Sequence, residues 1–381
     1  MITDLSTKTR DELIVICKDM KIKGYSRKNK NEIVQMIEKV TGKVIEKVTG
    51  KVTGKVTENI RMIDLFAGTG AFTWAFKQCN CETVFSNDIM SHSKTIYDLN
   101  FHGNNEDTNN GLLLQDLNDI EVDDIPNHDI LTGGFPCQPF SIAGNQEGFH
   151  DTRSNVFWKI LEIIDHHKPR VVILENVKNL VTHDNKRTLK TILENLSNRG
   201  YHITHKILNT AEITGIPQHR ERIYIVCMKQ KDVYDKFNMD FPSIPKKKIS
   251  AYLESEIPEK YFYTNKSSTW DLLTENVTKS DTVYQYRRVY VRENKSSECP
   301  TLTANMGTGG HNVPIILDER KGNEGRQGIR KLTPRECFNL QGFPAEYKLP
   351  ELADSNLYKL AGNAVSVPVV QLIANRLMKL M

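Results

Sequence analysis

The sequence predicts a doubly wound, Rossmann-like α/β domain whose ligand site lies at the carboxyl ends of its parallel strands. The apolar run Met62–Phe66 leads into a glycine turn at residues 67–70, and a helical pattern begins at Ala71. A second buried strand, Val171–Leu174, stops at a carboxylate, Glu175. A strand, a glycine turn and a helix in this order open a nucleotide-binding unit, and ligands of such sheets bind where the strands end.

The first strand unit predicts an adenosyl site without phosphates. The turn Ala67–Gly70 lacks the full glycine spacing of the dinucleotide fingerprint, so it is not expected to bind a pyrophosphate. Asp88 ends the next strand about 20 residues later, where an acid accepts hydrogen bonds from ribose hydroxyls. Asp116 follows the apolar Leu112–Leu114 and adds a second acid. The alternative is a generic Rossmann unit in which both acids are incidental.

Cys137 stands between two prolines, shortly after the apolar pair Ile130-Leu131. The stretch Gly133–Ser141 reads Gly-Gly-Phe-Pro-Cys-Gln-Pro-Phe-Ser. Proline fixes its own backbone angle and biases the preceding residue towards extended forms, so a strand that ends in a stiff loop is predicted. A thiol at a strand end, beside glycines that let the backbone approach a ligand, is a candidate nucleophile. A buried structural cysteine in a tight turn is the alternative.

Glu175 and two arginines are candidates for the same pocket. Because parallel strands end along one edge of the sheet, Glu175 and Cys137 are expected to face each other. Arg220 and Arg222 precede an apolar strand, and strand alternation places both on one side. Two such guanidinium groups suit an anion or a base carbonyl. The alternatives are a capping or salt-bridged role for Glu175 and a surface ion pair between the arginines and Glu221.

Length and composition bound the class of protein. A chain of 381 residues is expected to form two or three domains. No apolar run approaches the roughly 18 residues of a membrane span, and no apolar signal-peptide core opens the chain, so neither membrane insertion nor secretion is predicted. The 7 cysteines are scattered and lack zinc-site spacing, so we expect neither a disulfide framework nor a metal site. A reducing intracellular compartment fits this pattern.

The N-terminal region differs in charge from the rest of the chain. Its first 60 residues carry 13 Lys or Arg and 8 Asp or Glu, whereas the remainder is nearly neutral. The sequence of residues 1–37 predicts a small basic helical module, which resembles SAP-like DNA-binding modules. The alternative is a helical hairpin that contacts another protein. Residues 38–59 repeat Val-Thr-Gly-Lys, which cannot bury a core and therefore predicts a flexible tether.

Residues 229–329 predict a smaller, loop-rich β domain. Lysine, asparagine, serine and tyrosine become frequent there, and regular apolar periodicity fades. The segment Tyr284–Arg288 interleaves aromatic residues with arginines, and Thr301–Asn305 precedes a glycine-rich loop. This composition is typical of nucleic-acid recognition. A β subdomain without a partner is the alternative.

Taken in order, the motifs resemble those of the cytosine-C5 DNA methyltransferases, especially the bacterial enzymes of restriction–modification systems. The resemblance covers about residues 60–381. It is specific because six motifs occur in the order of the family: Asp64–Gly70, Gly134–Gln138, Glu175–Val177, Gln218–Arg222, Arg330–Glu336 and Gly362-Asn363. It implies an S-adenosylmethionine-dependent catalytic domain at residues 60–228 and 330–381, split by a target-recognition domain at residues 229–329.

The resemblance also implies a role for each motif. Cys137 would add to C6 of a flipped-out cytosine, and protonated Glu175 would supply a proton to N3. Arg222 would hold the cytosine O2, while Arg220 would support the site or a phosphate. The residues implied for S-adenosyl-L-methionine are Phe66, Ala67, Gly68, Gly70, Asp88, Ile89, Asp116, Pro136, Asn363 and Val365. Those implied for DNA are Gln138, Ser141, Arg287, Arg288, Thr301 and Thr303.

The implied reaction is methylation of C5 of cytosine in a short specific sequence of double-stranded DNA, which would protect that DNA from a cognate restriction endonuclease. We expect a monomeric, cytoplasmic, nucleoid-associated enzyme. The alternative is tRNA cytosine-C5 methylation, because one branch of this family modifies tRNA. The Cys-Phe-Thr signature of that branch is absent from the recognition region. A catalytically dead DNA-binding regulator is disfavoured because every catalytic motif is present.

Overall fold

The chain forms two compact units, Met1–Glu58 and Asn59–Met381. The computed structural model describes residues 60–102, 111–136, 156–308, 313–321 and 328–381, with scattered positions between residues 9 and 33. In the first unit, the backbone amides of Asn29 and Glu32 each donate to the other residue's side chain, which is a capping-box pattern at the start of a helix. The predicted tether at residues 38–59 lies outside the described residues.

A seven-stranded sheet forms the centre of the second unit. Its strands are β1 (Ile60–Leu65), β2 (Cys81–Asp88), β3 (Leu113–Leu114), β4 (Ile130–Gly133), β5 (Val171–Val177), β6 (His202–Asn209) and β7 (Glu221–Met228). They lie in the order β3-β2-β1-β4-β5-β7-β6, and β7 alone runs opposite to its neighbours. The central strands β4 and β5 are buried along nearly their whole length, as expected for a parallel sheet covered on both faces.

Helices cover both faces of this sheet. They are α1 (Ala71–Lys77), α2 (Ser91–Phe101), α3 (Val156–His167), α4 (Arg187–Asn198), α5 (Thr210–Thr214) and α6 (Lys231–Lys236). Ile130 and Leu131, adjacent in β4, point into two different cores. Leu131 packs with Phe157 of α3, and Ile130 belongs to the core that contains Phe76 of α1. This arrangement confirms the predicted doubly wound α/β class.

A second, antiparallel sheet lies in the region predicted to be rich in loops. Its strands are β8 (Val283–Tyr286), β9 (Val291–Asn294), β10 (Ile315–Leu317) and β11 (Ile329–Lys331), in the order β11-β10-β8-β9. The helix α7 (Trp270–Asn276) contributes Leu273 to a small core with Tyr284 and Ile315. Because β11 ends at Lys331, the small sheet continues past the predicted boundary at residue 330. The division into catalytic and recognition domains stays a prediction.

Three helices close the chain: α8 (Pro334–Leu340), α9 (Asp354–Asn363) and α10 (Val367–Leu377). Pro368 lies in the first turn of α10, a position that proline favours. The stretch Asp354–Leu377 is long and apolar enough to cross a membrane, yet 67% of its most apolar 18-residue window is buried inside the fold. It is also divided into two helices, so it has the character of a pair of core helices.

A buried ion network joins the small sheet to α8. The Arg330 side chain is fully buried and donates from both terminal nitrogens to the two carboxylate oxygens of Glu336, at 2.8 and 2.7 Å. Its Nε donates to Asp318 at 2.8 Å. Glu336 and Thr333 also form a capping box at the start of α8. The Arg330–Glu336 motif therefore stabilises the fold, because its spacing lets the two side chains pair inside the protein.

We predict that Arg330→Met lowers the free energy of unfolding by roughly 3–5 kcal/mol, because it leaves two buried carboxylates without their shared partner. Arg320→Met is the matched control: Arg320 also pairs with Asp318 at 2.9 Å, but its side chain is 48% exposed. Its removal should cost less than about 1 kcal/mol. Denaturant titration of the two variants measures the difference, and equal losses would contradict this account.

Candidate active site

The glycine turn after β1 adopts backbone conformations that are rare for residues other than glycine. Phe66, Gly68 and Gly70 have φ angles of 56°, 55° and 71°. A Cβ at Gly70 would lie 2.3 Å from Cε2 of Phe101, so no larger residue fits there without movement of the ring. A left-handed non-glycine residue such as Phe66 costs of order 1–3 kcal/mol and is typical of functional sites. Ala67, between them, is buried.

Asp88 lies at the end of β2 against the glycine turn, as the sequence predicts. Its Oδ2 accepts from the amide of Gly68 at 2.9 Å, and its Oδ1 accepts from the amide of Met90 at 2.8 Å. Burial raises the pKa of Asp88, and these hydrogen bonds oppose the shift. The Ser93 side chain and the Ile89 amide also donate hydrogen bonds to this carboxylate. The adjacent Ile89 is 66% exposed and places an apolar surface beside the carboxylate.

Asp64 is a buried acid to which the sequence analysis assigns no separate role. It accepts hydrogen bonds from the amide and hydroxyl of Thr73, at 3.2 and 2.9 Å, and from the hydroxyl of Thr132 at 3.0 Å. Burial raises the pKa of Asp64 to about 7 although these hydrogen bonds oppose the shift. Asp64 therefore ties β1, β4 and α1 together beneath the glycine turn. The sequence signal for this structural role is an acidic residue in the middle of an otherwise apolar strand.

The structure describes only some of the other residues predicted for this site. Asp116 caps a short helical turn, where its Oδ1 accepts from a backbone amide at 3.0 Å. Pro136 is exposed and ends the described part of the loop. Cys137, Gln138 and Ser141 lie outside the described residues, and their roles stay predictions.

Glu175 is a buried carboxylate within β5, which continues to Val177, so the strand does not stop at Glu175 as predicted. Its Oε1 lies 3.2 Å from Nε of Arg222, but this ion pair lacks hydrogen-bond geometry, and Oε1 has no hydrogen-bond partner among the described residues. A Cβ at Gly134 would lie 3.5 Å from Oε2, so the backbone that leads to the predicted nucleophile passes close by. Burial raises the pKa of Glu175 and outweighs the opposing charges of Arg222 and Arg220. This environment favours the protonated carboxyl group more than water does.

Arg222 is the arginine that faces the carboxylate. It lies in β7 opposite Val177, and this register places it diagonally across from Glu175 in β5. Glu221 pairs with Lys178 at 2.8 Å rather than with either arginine side chain, so the alternative of a surface pair with Glu221 is wrong. Glu175 and Arg222 therefore form an acid–guanidinium pair where the strands end.

Arg220 has a different role from the one that strand alternation predicts. Since β7 begins at Glu221, the alternation does not extend to it. Arg220 is 2% exposed and donates to the carbonyls of Leu302, Gly362 and Ala364, at 3.0, 3.2 and 2.7 Å. A phosphate cannot reach a guanidinium in this position, so the geometry corrects the predicted phosphate contact and supports structural positioning.

The C-terminal segment packs against the same edge of the sheet. Asn363 ends α9 and is exposed, and Val365 Cγ2 lies 3.6 Å from the position that a Cβ of Gly134 would take. The residues present fit an adenosyl ligand: they provide a backbone-lined turn, the carboxylate of Asp88 beside it, the exposed Ile89 and a side-chain-free edge at Gly134. Within the described ranges, no cluster of three or more His, Cys, Asp or Glu is arranged to hold a metal ion.

A polar cleft of about 680 Å³ brings together three of the predicted DNA contacts, Arg287, Thr301 and Thr303. It also contains Gln285 and Arg292, which the sequence analysis did not select. Arg288 does not line this cleft and lies at the hairpin turn with a φ angle of 65°. A separate cavity of about 490 Å³, beside α1 and α10, contains none of the predicted site residues.

Comparison with known proteins gives the same assignment over most of the chain. Residues 60–379 match the model of the C-5 cytosine-specific DNA methylases, and residues 4–43 match that of the Rho termination factor N-terminal domain. The Type II methyltransferase M.Bsp6I of Bacillus sp. (strain RFL6) is 45% identical over 84% of this chain and 99% of its own length. M.HaeII of Haemophilus aegyptius is 38% identical, over 82% of this chain and 91% of its own.

Solved structures share the fold. Dnmt2 methyltransferase of S. pombe superposes with a TM-score of 0.63 over 84% of this chain and 98% of its own, at 22% identity. A putative DNA modification methyltransferase from an E. coli prophage gives a TM-score of 0.59 at 16% identity, over 84% of this chain and 99% of its own. These identities are low, so the superpositions speak to architecture alone. The family match over residues 60–379 decides the assignment: the chain belongs to the C-5 cytosine-specific DNA methylase family.

Proposed function

We propose that the chain transfers a methyl group from S-adenosylmethionine to C5 of cytosine in a short specific sequence of double-stranded DNA, as the methyltransferase of a restriction–modification system. The observation that carries this proposal is the buried pair of Glu175 and Arg222 beside Gly134, in the segment that leads to Cys137. The family match and the Type II relatives support it. Because Glu175 is 8% exposed, a cytosine stacked in a duplex cannot reach it. The base therefore flips out, at a cost of roughly a few kcal/mol.

The cofactor supplies the methyl group on a positively charged sulfur. Asp88 would accept hydrogen bonds from the ribose, and Ile89 would offer an apolar contact to the adenosyl group. The backbone of the glycine turn, at Phe66, Ala67, Gly68 and Gly70, would lie against the cofactor. The other residues that would hold it are Asp116, Pro136, Asn363 and Val365.

The side chains then make C5 of cytosine reactive. The Cys137 thiolate adds to C6, and the electron pair displaced from the C5–C6 bond moves into the ring towards N3 and O2. Glu175 gives its proton to N3, and Arg222 holds O2, so that C5 becomes enamine-like and accepts the methyl group. A base then removes the C5 proton, the electrons of that bond expel the cysteine from C6, and N3 returns its proton to Glu175. Each proton transfer of this kind contributes about 10²–10⁴-fold in rate.

The wider setting follows from the same proposal. A cognate restriction endonuclease would share the recognition sequence, and the methyltransferase would act as a cytoplasmic, nucleoid-associated monomer. The tRNA alternative predicts methyl transfer to tRNA instead of duplex DNA. Transfer of tritium from labelled cofactor to each substrate separates the two, and labelling of tRNA alone would overturn the proposal.

Covalent catalysis predicts a trapped adduct at Cys137. Duplex DNA with 5-fluorocytosine at the target should form a denaturation-resistant complex, because fluorine cannot leave as a proton does. Cys137→Ala should form none, and gel electrophoresis of the denatured mixture measures this. Cys337→Ala is the matched control, since the Cys337 thiol is fully buried in an apolar core. Trapping by Cys137→Ala at the wild-type level would show that another residue is the nucleophile.

Acid catalysis by Glu175 predicts a selective loss of rate. Glu175→Gln keeps the shape but cannot protonate N3, so kcat should fall by roughly 10²-fold or more while DNA binding stays nearly normal. The wild-type rate should also fall as pH rises through the raised pKa of Glu175, since only the protonated acid is active, and the variant should lack this alkaline limb. Equal losses of binding and rate would make Glu175 a structural carboxylate instead.

The basic N-terminal region should act as a non-specific tether to DNA. Deletion of residues 1–57 should leave the target sequence and kcat almost unchanged, because a tethered weak binder raises local concentration without reading bases. For every phosphate that the deleted region neutralises, the log–log salt slope of binding should decrease by about 0.9. Salt-titrated binding of full-length and truncated protein to one duplex measures this. Identical slopes would instead favour docking of this region on another protein.

A further inference from the structure

The hairpin of β8 and β9 presents one polar face to the cleft. Gln285 of β8 lies directly opposite Arg292 of β9 in the strand register, and both line the cleft. Tyr284, one residue from Gln285, points the other way into the small core with Ile315. Side chains alternate along a strand, so burial of the tyrosine decides which residues face the cleft.

Arg292 lacks an acidic partner in the part of the chain that the structure describes. Its side chain is exposed and forms no hydrogen bond or ion pair there. The two nearest acids in sequence, Glu293 and Glu298, already pair with Lys279 at 2.8 Å and Lys246 at 2.6 Å. A guanidinium offers five donors in a planar fork, and here all five are available to a ligand.

The neighbouring side chains make this wall a donor surface. The Oε1 atom of Gln285 accepts from Nη2 of Arg287 at 3.3 Å, which leaves the Gln285 amide nitrogen to donate. The best complement to such a surface is a planar group with adjacent acceptors. In the major groove of DNA, guanine presents O6 and N7 side by side, and a two-stranded β-ribbon fits that groove.

The opposite wall connects the cleft to the catalytic strand. The hydroxyl of Thr301 donates to the carbonyl of His219 at 2.6 Å, and both residues line the cleft. His219 directly precedes the Arg220–Arg222 segment, and Arg222 faces Glu175. A duplex seated in the cleft would therefore lie beside the acid–guanidinium pair that receives the flipped cytosine.

We propose that Arg292 is a specificity-determining residue that reads a guanine of the recognition sequence through O6 and N7, with Gln285 beside it on the same base edge. The inference rests on the proposed function, because it requires a duplex DNA substrate. Arg288 lies outside the cleft at the exposed hairpin turn, and the same proposal assigns it a contact with the phosphate backbone, which carries no sequence information.

The first test maps the methylated sites of wild type, Arg292→Ala and Arg288→Ala, each as the full chain, by bisulfite sequencing of duplex DNA. Arg292→Ala should relax the preference at one guanine by roughly 5- to 150-fold, the value of a bidentate arginine–guanine contact. Arg288→Ala should weaken methylation evenly at all sites and reduce the salt slope of binding by about 0.9. An even loss with Arg292→Ala and an unchanged preference would overturn the proposal.

A second test does not depend on how well the alanine variant folds. Replacing each guanine of the mapped site in turn by 7-deazaguanine removes the N7 acceptor alone. At one position the wild-type kcat/KM should fall several-fold, and Arg292→Lys, which lacks the planar fork, should lose this sensitivity. If no position affects the wild type, Arg292 reads no guanine N7 and the proposal is wrong. Failure of wild type to methylate any duplex would instead refute the proposed function.

Discussion

The geometry of the active site depends on one buried guanidinium, that of Arg220. Its three hydrogen bonds reach Leu302, whose neighbours Thr301 and Thr303 line the cleft, Gly362 in the last turn of α9, and Ala364 just after that helix. A buried cation is costly unless it is hydrogen-bonded, so all three carbonyls must stay in place. Burial, together with the nearby charge of Arg222, lowers the pKa of Arg220 to about 9. The site is therefore assembled from segments that are distant in sequence.

Gln218, two residues before Arg220, is a second buried polar side chain that holds this segment in place. It is fully buried, and its amide donates to the carbonyl of Leu340 at 2.7 Å and to Gln341 at 3.1 Å. Gln218 and Arg220 thus anchor the chain in the interior, and Arg222 projects into the site. In this motif, Gln218 and Arg220 therefore support the fold, and only Arg222 can touch the substrate.

Glu175, the proposed acid, and Arg292, the proposed guanine-reading residue, need opposite environments. Glu175 must be deep enough for burial to hold its proton, yet within reach of Arg222, whose charge works against that proton. Arg292 must instead remain exposed and unpaired until DNA arrives. The fold satisfies both because Glu175 lies near the carboxyl end of the buried strand β5, whereas Arg292 lies on a short edge strand of the small sheet.

Much of the catalytic domain was predictable from local sequence. Apolar runs that stop at Asp88 and Glu175, the glycine turn and the Pro-Cys-Gln loop each indicate a strand end, and the edge of a parallel sheet collects strand ends. The interior position of Arg220 was not predictable, because its partners at Leu302, Gly362 and Ala364 are backbone carbonyls that have no sequence signature. The choice of Arg292 over Arg288 also required the tertiary structure. Strand alternation defines two faces of a hairpin, but only packing of Tyr284 into its core decides which face meets the cleft.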